Sequence, residues 1–183
     1  DKGAARLIEQ QRKEISKIKD NVARATANNA FNQAVAYRES MLNTDPAAFA
    51  VQSSPDVEAS FDDFQSAFFS GDLTAANQLY SEYRAQSSSA QASYSSRDSK
   101  VFPNSFASSF AKQMEGATVQ DKTRMAKAFV AIGGSDIIQI ANEIGGENAA
   151  FTAGMILIDD NEKLATDIFR GMEVPDPYAP KLW

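Results

Sequence analysis

PDVEASFDDFQSAFFSGDLTAANQLYSEY, residues 55–83, decides the fold class. Val57, Phe61, Phe64 and Phe68 fall at i, i+4, i+7 and i+11, the spacing of one apolar helix face. Gly71 stops that helix and Asp72 caps the next, because glycine tolerates a left-handed turn and a short carboxylate satisfies free N–H groups. The second helix repeats the pattern with Leu73, Ala76, Leu79, Tyr80 and Tyr83. It runs into a Ser-rich tract, Ser87 to Ser99, expected to stay helical and fray towards Lys100.

The same grammar continues to the C-terminus. Pro103 and Asn104 open a helix with Phe106, Phe110 and Met114, and Gly116 closes it. Thr118 opens another, with Met125, Ala128, Phe129 and Ile132, stopped by Gly133-Gly134. Ser135 is expected to cap a short helix with Ile137, Ile138, Ala141 and Ile144. Ala149 to Ile158 is apolar on every side and should be the central buried helix. Asp159-x-x-Glu162 reads as the capping box of a last helix with Leu164, Ala165, Ile168 and Phe169.

Upstream, Ala4 to Leu42 reads as one long helix without internal Pro or Gly. Ile8, Gln11, Ile15, Ile18, Val22 and Ala25 follow coiled-coil spacing, and Phe31, Ala34, Val35 and Met41 form a rotated stripe. Asn43 to Pro55 reads as a linker. The expectation is an all-α protein of about seven helices. It divides into a coiled-coil-like arm (1–42), a Phe-rich pair with a Ser-rich end (56–100), a bundle (101–171) and a Pro-rich tail (172–183). Phe61, Phe64, Phe68, Phe129, Ile138, Phe151, Ile156 and Ile168 are the expected core.

The composition narrows the chemistry. The 183 residues include no His and no Cys, which removes the usual neutral-pH base, the thiolate nucleophile and the soft metal ligands. No cofactor and no metal is expected. A net charge of −6 argues against general nucleic-acid binding. The longest apolar run, Ala149 to Ile158, is too short for a membrane span. The N-terminus is charged rather than apolar, unlike a signal peptide. Position 1 is Asp rather than Met, so the chain is expected to be a piece of something longer.

Charge is uneven. Residues 1–42 hold eight Lys/Arg against five Asp/Glu, a net of +3. Residues 43–80 hold six acids (Asp45, Asp56, Glu58, Asp62, Asp63, Asp72) and no Lys or Arg. A basic arm ahead of an acidic body points to association. Ile8, Ile15, Ile18 and Val22 are the expected contact with other copies or with a neighbour in an assembly, and the acidic 43–80 segment is the alternative contact, for a basic protein partner.

Local constellations add little chemistry. Asp62-Asp63 and Asp159-Asp160 are neighbours that point apart on a helix, and 159–162 lacks the glycine and alternating acids of a calcium loop. Gly133-Gly134-Ser135-Asp136 places a carboxylate where an anion would sit, and reads as a stop followed by a cap.

Two resemblances bear on function. Ala36-Tyr37-Arg38-Glu39-Ser40, followed by Asn43 and Pro46, resembles the Glu-Ser motif of soluble lysozyme-like lytic transglycosylases. That likeness implies a peptidoglycan-cleaving fragment with Glu39 as general acid. The Gly-Leu-Met-Gln segment of that family is missing downstream. Residues 123–171 resemble helical regions of large tailed-bacteriophage virion proteins. The likeness rests on Met125-Ala126-Lys127-Ala128-Phe129, the Gly133-Gly134 stop, and 164–171 (Leu-Ala-Thr-Asp-Ile-Phe-Arg-Gly). It implies a structural or assembly role in a virion, with protein partners and no catalytic residues.

Overall fold

The single N-terminal helix expected over 4–42 is two helices. In the computed structural model, which describes residues 2–94 and 98–171, α1 (Lys2–Ser16) and α2 (Asn21–Thr44) are separated by a turn. Lys17 N–H and Ile18 N–H reach back only three residues, to Glu14 and Ile15 carbonyls, and end α1. Asp20 then caps α2, its carboxylate accepting from Ala23 N–H at 2.6 Å. Arg24 fixes the corner by donating to the Ile18 carbonyl at 3.1 Å and to Asn21 Oδ1 at 2.6 Å. The break thus comes from a capping residue, with no Pro or Gly involved.

The helices lie antiparallel. Arg12 Nη1 donates to Asn32 Oδ1 at 2.8 Å, and the Arg12 guanidinium sits 5.3 Å from the centre of the Phe31 ring. Ala4, Leu7, Ile8 and Gln11 line one groove with Phe31, Ala34, Val35 and Arg38.

The expected linker at 43–55 contains a helix, α3 (Pro46–Ser53). The prolines are first-turn residues, where no N–H is required: Pro46 opens α3 and Pro55 opens α4 (Pro55–Ser70). α4 buries Val57, Phe61, Phe64 and Phe68 as the spacing indicates. Gly71 closes it at φ 85°, and Asp72 caps α5 (Leu73–Ser93) by accepting from Ala75 N–H at 3.1 Å.

Then come α6 (Asn104–Met114), α7 (Val119–Gly133), a 3₁₀ turn (Gly134–Asp136), α8 (Ile137–Ile144), α9 (Ala149–Leu157) and α10 (Glu162–Gly171). The described residues are all-α, as the sequence indicates. The Pro-rich tail 172–183 lies outside them. Thr118 and Asp121 form a reciprocal capping box at the start of α7.

Two caps differ from expectation. Asn161, not Asp159, caps α10 by accepting from Leu164 N–H at 3.0 Å, and Glu162 pairs with Lys127 at 2.9 Å. Ser135 does not cap α8, because the 3₁₀ turn runs directly into it.

One aromatic core joins α4 to α10. Phe64 stacks on Phe102 with ring centres 5.6 Å apart, and Phe102 on Phe106 at 4.2 Å. Phe68 meets Phe129 at 4.5 Å, Phe110 meets Phe151 at 4.8 Å, and Phe151 stacks on Phe169 at 5.6 Å. Two expected core residues are outside it: Ile138 is 57% exposed and Ile156 47%. α8 turns Ile140, Ala141 and Ile144 inward, and Ile138 lies off that face. α9 is not buried all round: Phe151, Thr152 and Met155 face the core while Ala149, Ala150, Ala153 and Ile156 face water. Ile168 is half-buried.

Candidate functional site

The N-terminal hairpin is amphipathic and fully buries none of its side chains. Neither α1 nor α2 has a buried residue. Of the expected contact residues, Ile8, Ile15 and Ile18 are half-buried, with Ile8 and Ile15 turned towards the α1–α2 groove, and Val22 is 76% exposed. Leu7 and Tyr37, which the heptad spacing does not select, are 55% and 60% exposed. A second opening, of about 390 Å³, is lined by Leu7, Gln10, Gln11, Glu14, Ile15 and Phe31. α2 joins the body through α3, where Arg38 stacks on Phe49 at 5.4 Å.

Asp45 is the junction of hairpin and body. Its N–H ends α2 by donating to the Met41 carbonyl at 2.8 Å. One carboxylate oxygen caps α3, accepting from Ala48 N–H at 3.2 Å, and the other accepts from Asn104 N–H at 2.9 Å, at the start of α6. One buried carboxylate therefore serves two helix N-termini, the second of them at Asn104, 59 residues along the chain.

Two further carboxylates clasp the body. Glu143 accepts from Val101 N–H at 2.8 Å and Phe102 N–H at 2.9 Å, and from Gln139 Nε2 at 2.9 Å. The same segment is held from the other side: Tyr83 donates to the Val101 carbonyl at 2.7 Å, and Gln91 exchanges two bonds with Lys100. Asp136 accepts from the Tyr80 hydroxyl at 2.7 Å and from Arg84 Nε at 3.0 Å.

Burial works against the Asp136 charge, but the bonds from Arg84 and Tyr80 and the guanidinium charge outweigh it and lower its pKa. Burial likewise opposes the Arg84 charge, and Asp136 more than compensates, raising its pKa. The Tyr80 hydroxyl is pushed far up, first by burial and then by its bond to Asp136. Burial also raises Tyr83, with the Glu143 charge adding to it. This group has the composition of an acid–base site. The Tyr80 and Arg84 bonds to Asp136 join α5 to the start of α8, which is the geometry of a clasp.

Glu39 stands exposed on α2. A groove of about 720 Å³ lies between α5 and α7 against Leu73, Asn77, Lys127, Ala128 and Ile132. Among the described residues no group of three or more acidic side chains is placed to hold a metal, and no helix is long and apolar enough to cross a membrane.

On the outer side of α4, Asp56, Glu58, Asp62 and Asp63 are exposed, and none has an ion-pair partner among the described residues. Asp159 and Asp160 are exposed too. The chain matches no protein-family model, no curated protein and no solved structure.

Proposed function

We propose that this chain is a non-enzymatic assembly module that works through helix faces, with the α1–α2 hairpin as its contact arm. The observation that carries this reading is the hairpin itself. Fixing a residue's backbone costs about 1–2 kcal/mol, and two packed helices with no fully buried side chain recover little of it. A partner laid along the exposed sides of α1 and α2 would supply the missing burial. The likeness of residues 123–171 to helical regions of tailed-phage virion proteins supports a virion as the setting.

Light scattering on the intact chain and on a version beginning at Asn43 tests the module. The expected result is an oligomer for the intact chain and a folded monomer after truncation. A monomer at every concentration in both would overturn the proposal. The transglycosylase alternative is tested in a cell-wall gel: no clearing is expected, and clearing lost in Glu39→Gln would favour the enzyme. The adaptor alternative predicts capture of a basic protein that is lost when Asp62 and Asp63 become Asn.

A further inference from the structure

We propose that the arm's partner is a second copy of this chain, bound head to tail, with the outer face of α1 on the acidic outer face of α4 in the next copy. This rests on the assembly reading above and names its partner. On α1, Lys2, Arg6 and Lys13 share with Glu9 the side turned away from α2, a face of net positive charge, and none of the three cations has an ion-pair partner among the described residues. On α4, Asp56, Glu58, Asp62 and Asp63 surround Ala59, Ser66 and Ser70, small residues that let a second helix approach. Within one chain α1 packs on α2, α4 packs on α3 and α5, and no ion pair joins α1 to α4.

Charge selects this pairing over the symmetric one. Hairpin on hairpin sets a net of +3 against +3, whereas hairpin on α4 sets it against a helix with four acids and no cation. The spacing also fits. Arg6 and Lys13 are seven residues apart, as are Asp56 and Asp63, which is about 10.5 Å along each helix. An antiparallel crossing brings Arg6 to Asp63 and Lys13 to Asp56 together. Because the two faces differ, each copy keeps one of each free, and the contact repeats into rings or open chains rather than stopping at a dimer.

Charge-swap complementation in sedimentation velocity tests this on the full chain. Wild type should form species larger than dimers at about 0.01 M salt and lose them near 1 M, where screening shortens to about 3 Å. Asp56→Lys with Asp63→Lys, and separately Arg6→Glu with Lys13→Glu, should each raise the concentration needed for association on the order of tenfold. Mixing the two variants should restore assembly, because each then carries the charge the other's face requires. All four positions are exposed, and unchanged helical circular dichroism confirms the fold of each variant. Assembly that ignores salt and both charge swaps, or that stops at a dimer, overturns the head-to-tail contact while leaving the assembly module standing. A chain that is monomeric at every salt and concentration overturns both.

Discussion

Replacing Asp45 tests whether one carboxylate holds two helices. Removing an ordinary N-cap side chain costs about 1 kcal/mol. Asp45→Ala removes two such acceptors at once, from Ala48 N–H and Asn104 N–H, at a position only 8% exposed. A donor left short of a partner in a partly buried place adds about 1 kcal/mol or more, so the expected cost is about 2–4 kcal/mol. Asp45→Asn keeps one accepting oxygen and turns an amide donor towards the other N–H, so it should cost about half as much. Asp72→Ala is the internal control: Asp72 is exposed and caps α5 alone, and about 1 kcal/mol is expected. Urea denaturation of the three variants gives the comparison. If Asp45→Ala costs no more than Asp72→Ala, the double-cap argument is wrong.

Other outcomes follow from the core and the clasps. Phe151 is fully buried between the Phe110, Phe129 and Phe169 rings, so Phe151→Ala should lose about 3–5 kcal/mol in a urea titration. A Cβ on Gly154 would sit 2.3 Å from Phe169 Cε1, in a ring fixed by Phe151; Gly154→Ala should therefore lower the Tm despite the roughly 1 kcal/mol that alanine adds to a helix. Tyr80 and Tyr83 are both raised in the fold, so their contribution is intact below the ordinary phenol value of about 10 and is lost as pH climbs above it. Urea midpoints between about pH 8 and pH 11 should fall, and Tyr80→Phe should flatten that fall. Asp136 is lowered, so its share is present above the ordinary carboxylate range and disappears in acid below it; Asp136→Asn should remove that part of the acid slope.

The Phe61–Phe64–Phe68 and Phe106–Phe110 stripes were legible because bulky rings at helical spacing leave one face to bury. The break at Asp20 and the helix at Pro46 carried ordinary signals, an Asx cap and a first-turn proline, that uninterrupted helix formers and a Pro-rich appearance concealed. Ile138 and Ile156 were not legible, since a helix of eight or nine residues with apolar side chains on two sides does not declare which side turns inward. The clasps were beyond reach for another reason. Asp45 and Glu143 bond to backbone N–H groups 59 and 42 residues away, and a backbone donor carries no side-chain identity to read. The hairpin was legible as an apolar stripe, of which Ile8 and Gln11 line a groove with α2.

The unbroken run of rings from Tyr83 to Phe169 has a consequence for how this molecule comes apart. Each helix from α4 to α10, except α8, lends an aromatic side chain that is packed against rings of other elements, and α8 is tied to the same unit through Ile140 and Ile144. None of these helices can leave without stripping rings from its neighbours, so the body should unfold in a single transition, with amide exchange there governed by global opening. The hairpin has no ring in that chain and should exchange by local opening at far lower cost. One polypeptide thus carries two stabilities, and the lower one belongs to the part proposed to meet other copies.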